Sequence, residues 1–168
     1  MKRFDLMHQV NVRGTFLLTK TCLPYLKKSS NPHILNLSPP ILLDSQWFQS
    51  HVAYTIAKFG MSMCVLGWSS EYRDLPISVN ALWPRTAIKT AAVQNHLGGD
   101  EIIARSRTDE IMADSAYVIL TTRAGQINGK FLIDEDVLRA VGVRDFNKYQ
   151  VDPSLPESEL ATEFHRST

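Results

Sequence analysis

The sequence has few cysteines and no excess of charge of either sign. Cys22 and Cys64 are its only cysteines, and both lie in apolar helical stretches where a thiol packs as a small hydrophobic group. We therefore expect two reduced thiols rather than a disulfide. The 18 Lys and Arg residues and 17 Asp and Glu residues are interspersed. This balance creates no field that would attract nucleic acid or an anionic membrane, so a small, roughly neutral ligand is the expected partner.

Long apolar runs are also missing from the 168 residues. No segment is long enough to span a bilayer, and the first residues, Met1 to Asp5, lack the apolar core and cleavage site of a secretory signal. We therefore expect a protein that is not secreted. With 44% hydrophobic residues, the chain has enough apolar material to bury a core of its own.

Short apolar runs alternate with helical patterns along the chain. Helical spacing predicts helices over about 4–27, 49–72, 87–96 and 108–120, and apolar runs predict strands over 33–37, 77–82 and 130–133. This alternation predicts an α/β protein with a parallel sheet covered by helices. Beyond about Val151 the sequence turns polar, so we expect 145–168 to be an irregular, disordered tail or linker stub. Residues 1–144 would then form the folded part.

Between Asp44 and Glu71 the only formally charged side chain is Lys58, in the helix predicted over 49–72, and Tyr54 lies four residues earlier on the same face. Because burying an unpaired ammonium is costly, such a lysine lies at a solvent gap or is held for a purpose. A tyrosine has a pKa of about 10, which a neighbouring ammonium lowers. The pair suits proton transfer to or from an alcohol or carbonyl oxygen. The structural alternative is a partly exposed pair on a core helix.

The same helix is apolar on nearly every side. Small residues form one stripe (Ala53, Ala57, Gly60, Cys64 and Gly67), and larger apolar residues form a second one (Val52, Ile56, Phe59, Met63 and Leu66). A sheet covers only one side of a helix, so another side needs a different cover. We expect a homo-oligomer through this helix. The alternative is a further portion of the monomer that covers it.

Four motifs of the sequence resemble, in order, those of the short-chain dehydrogenase/reductase family. They are Asn11-Val12-Arg13-Gly14 in a helix, the run from His33 to Ser38, Tyr54-Thr55-Ile56-Ala57-Lys58, and the run from Val79 to Pro84. Together they cover most of residues 4–134. The amino-acid sequences of segments 36–40, 54–58 and 80–88 resemble one branch of this family more closely still.

The resemblance implies an oxidoreductase that interconverts a secondary alcohol and a carbonyl with NADP or NAD, NADP being slightly favoured. Tyr54 would exchange a proton with the substrate oxygen, and Lys58 would bind the nicotinamide ribose and lower the pKa of the tyrosine. Asn11 would hold a water in the proton relay, and Ser38 would orient the substrate carbonyl. No metal ion is implied.

The resemblance also implies a cofactor-side segment after the last motif. Pro84, Ile88 and Thr90 would lie along the carboxamide and phosphate side of the cofactor. Trp83, Val93 and His96 would face the substrate and suggest an apolar pocket, so we expect a small apolar alcohol or carbonyl. Steroid, fatty-acyl and small-alcohol substrates all fit this description.

The sequence departs from the family pattern in three places. Pro39 stands where a second serine is usual, and Ser38 lies 16 residues before Tyr54, so Ser38 could instead cap the strand end. Arg85 stands where a glycine usually follows the proline. No glycine-rich turn lies between a strand and a helix start, although the family holds the cofactor pyrophosphate on such a turn.

These departures predict a partial Rossmann-like, doubly wound parallel sheet that lacks the N-terminal cofactor-binding strands. We expect a truncated gene product, a split gene or a splice form whose parent is active. The alternative is a non-catalytic fragment that acts as an interaction or regulatory partner of an intact subunit. The expected compartment is the cytoplasm, or, if the source is eukaryotic, the peroxisome or mitochondrion that the resemblance to this branch implies.

Overall fold

The computed structural model describes residues 1–49, 51–96 and 98–162. Its helices are α1 (Lys2–His8), α2 (Gly14–Leu26), α3 (Val52–Glu71), α4 (Ala91–His96), α5 (Gly99–Ala104), α6 (Glu110–Thr121) and α7 (Asp134–Ala140), and its strands are β1 (His33–Leu37), β2 (Ser78–Trp83) and β3 (Phe131–Ile133). The chain divides into unit 1, which comprises Met1–Trp83 and Leu120–Leu132, and unit 2, which comprises Pro84–Ile119 and Ile133–Thr168. No helix among the described residues has the length and apolarity that crossing a membrane requires.

A three-stranded sheet in the order β1-β2-β3 forms the centre of unit 1. Strands β1 and β2 are parallel, with His33 opposite Ser78 and Leu37 opposite Leu82. All of β2 except Trp83 is buried, as expected for a parallel strand covered on both faces. The α/β class and the partial parallel sheet that the sequence predicts are confirmed.

Helix α3 packs on this sheet through aromatic and aliphatic side chains. Trp68 and Val65 of α3 share one buried cluster with Ile34 of β1 and Val79 of β2. Burial of such side chains contributes roughly 1.5–3 kcal/mol each, so this cluster fixes α3 across the strands. The opposite side of α3 remains exposed at several large apolar residues, namely Val52, Ile56, Met63 and Leu66.

The predicted helix over 4–27 is present, but it contains an irregularity that the sequence did not indicate. Helices α1 and α2 are joined by a π-helical turn over Gln9–Arg13. This turn packs against α3 at Gly60, where an added Cβ would lie 2.7 Å from a side-chain methyl of Val12. Only glycine permits so close an approach, and π-helical turns of this kind are frequent at functional sites.

Unit 2 has its own core. Ile111 of α6 and Leu138 of α7 pack with Phe146 and Tyr149, which follow α7. Helix α7 begins with three acidic residues and has Arg139 in its last turn, an arrangement that complements the helix dipole.

Two sequence expectations about unit 2 are wrong. The helix expected over 87–96 begins only at Ala91, because Ala87 and Lys89 pair as extended backbone with Arg107. The disorder expected beyond Val151 is not seen up to Thr162: Leu160 is buried, and Ala161 forms two backbone hydrogen bonds. The cause in both cases is backbone pairing between segments that are distant in sequence, which local sequence patterns do not predict.

Candidate active site

Tyr54 and Lys58 lie one turn apart on α3, near its N-terminal end. The Lys58 Nζ atom is 5.9 Å from the centroid of the Tyr54 ring. The Tyr54 side chain is 43% exposed, so a ligand can reach it from solvent. The four-residue spacing therefore brings the two side chains together as the sequence predicts.

Lys58 reaches from α3 to the ends of two strands. Its Nζ donates a hydrogen bond of 3.0 Å to the carbonyl oxygen of Leu37, the last residue of β1. The same atom lies 5.5 Å from the ring centroid of Trp83, the last residue of β2, and 3.9 Å from the sulfur of Met61. Parallel strands end at the same edge of a sheet, and α3 places its one ammonium there.

The surroundings of Lys58 are mostly apolar. Burial lowers the pKa of its ammonium below the ordinary value of 10.5. The carbonyl of Leu37 and the faces of the two rings offset part of that cost, because both present negative charge density to a cation. The arrangement holds a cation 5.9 Å from the centroid of the Tyr54 ring, at a side chain that is open to solvent.

Ser38 follows the residue that binds Lys58 and is fully buried. Its Oγ atom has no hydrogen-bond partner within the described part of the chain. An unpartnered buried hydroxyl costs free energy, and a hydrogen bond to a bound ligand or water is one explanation for such a group in a native protein. Ser38 therefore lies at the sheet edge that Lys58 reaches, with its donor unused.

Asn11 lies in the π-helical turn, which contacts α3 two residues beyond Lys58, at Gly60. Its side-chain Nδ2 atom donates to the carbonyl oxygen of Met7, 2.9 Å away. The amide is thus tied to its own helix, and its predicted role in a proton relay stays a prediction.

The predicted cofactor-side residues Pro84, Ile88 and Thr90 belong to unit 2. Ile88 is half-buried and packs against the core of that unit. The Thr90 hydroxyl oxygen accepts a 3.3 Å hydrogen bond from the Val93 amide, which caps the start of α4. Their contacts with a cofactor stay predictions.

Trp83 is the residue whose contact the sequence did not reveal. Its expected place facing the substrate stays a prediction, and its ring also lies over the Lys58 ammonium. In the register Leu82 is opposite Leu37, so Trp83, the last residue of β2, lies at the same end of the sheet as Ser38.

Comparison with known proteins places these motifs in context. The family model described as enoyl-(acyl carrier protein) reductase matches residues 1–124. Hydroxysteroid dehydrogenase-like protein 2 of Danio rerio is 55% identical over 156 residues, which are 93% of this chain and 37% of that protein. The protein of the same name from Homo sapiens is 51% identical over 155 residues, 36% of its length. The chain thus spans little more than a third of these relatives, and they are the branch that the three sequence segments resemble.

Two solved structures match the fold of this protein over nearly the whole chain. A putative dehydrogenase from Xanthomonas campestris is 45% identical with a TM-score of 0.91, and the match covers 100% of this chain and 60% of that one. A short-chain dehydrogenase from Mycobacterium thermoresistibile is 48% identical with a TM-score of 0.85, over 97% of this chain and 56% of that one.

Proposed function

Because the chain belongs to the short-chain dehydrogenase/reductase family, we propose that it carries the catalytic half of an NAD(P)-dependent oxidoreductase that interconverts a secondary alcohol and a carbonyl. The observation that carries this proposal is the Tyr54–Lys58 pair. An ammonium held by the Leu37 carbonyl lies beside a solvent-accessible phenol at the carboxyl edge of a parallel sheet. This edge is where open α/β sheets bind their ligands.

Tyr54 is the proton donor and acceptor in this proposal. Hydride transfer is the chemistry that a bound nicotinamide supplies. In the oxidation direction the Tyr54 oxygen takes the hydroxyl proton of the alcohol, and in the reduction direction it returns a proton to the carbonyl oxygen. The Lys58 ammonium favours the phenolate and so makes Tyr54 an effective base near neutral pH.

Ser38 and Asn11 have supporting roles. The Ser38 hydroxyl would donate a hydrogen bond to the substrate oxygen and orient it toward Tyr54. Its unpartnered, buried Oγ atom supports this role better than the alternative of a strand cap. Asn11 would hold a water in the proton relay, for which its Nδ2 must leave the carbonyl oxygen of Met7.

The residues present fit part of a nicotinamide cofactor. Lys58 and Tyr54 supply polar groups suited to the nicotinamide ribose, and Pro84, Ile88 and Thr90 would line the carboxamide and phosphate side. No glycine-rich turn precedes a helix in this sequence, so we propose no pyrophosphate site from these residues. NADP is the first cofactor to test and NAD the second.

The substrate class is a small apolar alcohol or carbonyl. Trp83 at the end of β2 supplies apolar surface beside the Tyr54–Lys58 pair. We place the activity in the cytoplasm, or in the peroxisome or mitochondrion if the source is eukaryotic.

Equilibrium titration of the 168-residue chain with NADPH and with NADH tests whether it binds the cofactor itself. Saturable binding that Lys58→Ala weakens would support the proposal. Lys28→Ala, at an exposed lysine after α2, serves as the charge-matched control. No saturable binding of either cofactor would overturn the claim that this chain is an enzyme by itself.

A second candidate function is that of a non-catalytic partner of an intact subunit, through α3. Large apolar side chains are exposed along this helix at Val52, Ile56, Met63 and Leu66. A row of exposed apolar side chains on a helix that is apolar on nearly every side favours a protein interface. A homo-oligomer through α3 would use the same surface.

Ile56→Glu should abolish association measured by light scattering, whereas Leu43→Glu, at an exposed leucine of a loop, should not. Equal association of the two variants would exclude α3 as the interface.

A further inference from the structure

The segment 85–90 is held by two other segments of unit 2. The backbone of Arg107 pairs with both neighbours of Ile88: its amide donates to the carbonyl oxygen of Ala87 at 2.9 Å, and its carbonyl oxygen accepts from Lys89 at 2.8 Å. Arg107 therefore fixes the backbone on each side of Ile88.

The second segment is the chain from Tyr149 to Thr162, which we call the C-terminal strap. The carbonyl oxygen of Ala161 accepts a 2.7 Å hydrogen bond from the amide of Ala87. The amide of Ala161 donates at 2.8 Å to the carbonyl oxygen of Arg105. The strap is therefore joined both to segment 85–90 and to the segment that contains Arg107.

The Arg107 side chain connects the same parts by charge. It is fully buried and forms ion pairs with Glu135 of α7 and, at 3.2 Å, with Glu157 of the strap. Its guanidinium carbon lies 5.4 Å from the ring centroid of Phe146. A buried guanidinium must be neutralised by carboxylates. Burial of the Arg107 side chain is therefore more favourable when the strap places Glu157 beside it.

Arg85 extends this cluster into segment 85–90 itself. Its guanidinium pairs with Glu135 at 3.4 Å, and its amide donates to Asp134 at 3.0 Å. Glu135 is thus shared between Arg85 and Arg107. The arginine that stands in place of the usual glycine has a specific partner in α7.

We propose that Arg107 and Glu157 are positioning residues for segment 85–90, through which the C-terminal strap holds Ile88 and Thr90 in the conformation that receives the cofactor. The role toward the cofactor rests on the proposed function. Removing the Glu157 charge leaves the buried Arg107 cation with one carboxylate partner fewer. The strap then loses its ion pair to the cluster, and segment 85–90 loses the bond to Ala161.

Hydrogen exchange of the full chain tests the structural part without any cofactor. In Glu157→Gln, the amides of Ala87, Lys89 and Arg107 should exchange roughly tenfold faster, the factor that corresponds to about 1.4 kcal/mol. The amide of Ala81, bonded to Lys130 in unit 1, serves as the internal reference and should not change.

Glu159→Gln is the matched control. Glu159 lies on the same turn and binds Arg105 through its backbone carbonyl oxygen, so loss of its side-chain charge should leave the three amides protected. Glu157→Asp retains the charge and should restore most of the protection. Equal exchange in Glu157→Gln and Glu159→Gln would overturn the proposal.

Titration with NADPH tests the functional part. Glu157→Gln should raise the Kd roughly three- to tenfold, because a smaller fraction of molecules has segment 85–90 in the competent conformation. Faster exchange with an unchanged Kd would refute the positioning role. If the unmodified chain binds neither NADPH nor NADH, the proposed function fails for this chain, while the exchange experiment still decides whether Glu157 anchors the strap.

Discussion

The Lys58 ammonium lies 5.5 Å from the centroid of the Trp83 ring, so the last residue of β2 contacts a cation near the N-terminal end of α3. Burial lowers the pKa of Lys58, and the ring opposes this effect because its face attracts the charged form. Trp83 thereby favours the charged form of Lys58, which the proposed chemistry of Tyr54 requires.

Replacement of Trp83 should therefore change the pKa of Lys58. We expect Trp83→Leu to lower it further, since the face of the indole ring stabilises the ammonium form. Trp83→Phe retains an aromatic face and should lower it less. The measurement is an NMR titration of the lysine Nζ and Cε signals in the 168-residue chain, with Lys58→Ala identifying the resonance. The same pKa in Leu and Phe variants would show that the ring has no electrostatic role.

Substitutions of the two candidate catalytic side chains should separate catalysis from binding. In any active form of this protein, Tyr54→Phe should lower kcat by about 10²–10⁴-fold with nearly unchanged cofactor affinity, because only the acid-base proton is lost. Lys58→Ala should impair both kcat and affinity, because the proposed role of Lys58 includes the ribose. Steady-state kinetics and cofactor titration of both variants provide the measurement. Equal loss of affinity in the two variants would contradict these assignments.

The sequence contained enough information for this helix and not for the segments around it. A long apolar helix with one lysine, and a tyrosine one turn before it, is a local pattern, so α3 and the Tyr54–Lys58 pair could be predicted. The hydrogen bond from Lys58 to Leu37 spans 21 residues, and no local periodicity contains it. The parallel register of β1 and β2 creates that contact only after folding.

Unit 2 was less predictable for the same physical reason. Ala87 reads as the start of a helix, yet its amide binds Ala161, far along the chain. Glu157 reads as a solvated charge of a polar tail, yet it neutralises a buried arginine. Distant ion pairs and single backbone bridges determine the conformation there, and they outweigh the weak helix propensity of a short segment.

Asp134 should make the stability of unit 2 depend on pH. Burial raises the pKa of its carboxyl from 3.8 to about 6, although its Oδ1 atom accepts hydrogen bonds from the amides of Arg85 and Glu135. A raised pKa in the folded state means that the folded state binds the proton more tightly, so stability is lost as the pH rises through about 6. Relative to Asp134→Asn, the unmodified chain should lose about 2 kcal/mol between about pH 4.5 and pH 7.5.

The three tryptophans are Trp47, Trp68 and Trp83, all in unit 1, so a probe within unit 2 is preferable. Hydrogen exchange of α7 amides, corrected for intrinsic rates at each pH, is the appropriate measurement. A constant difference between the unmodified chain and Asp134→Asn over this range would show that Asp134 titrates normally.

The contact between Gly60 and Val12 predicts opposite effects at two glycines of α3. A methyl group at position 60 would lie 2.7 Å from a Val12 methyl, so Gly60→Ala must displace the π-helical turn and should cost roughly 1–3 kcal/mol. Nothing lies within 4 Å of the corresponding position at Gly67, and Gly67→Ala should stabilise α3 by up to about 1 kcal/mol through helix propensity. Urea unfolding followed by tryptophan fluorescence measures both changes, since Trp68 is buried in unit 1.

The double variant Val12→Ala/Gly60→Ala should lose less stability than the sum of the two single substitutions, because the shortened side chain leaves room for the new methyl. Additive losses would show that the steric contact with Val12 is not the reason for glycine at position 60.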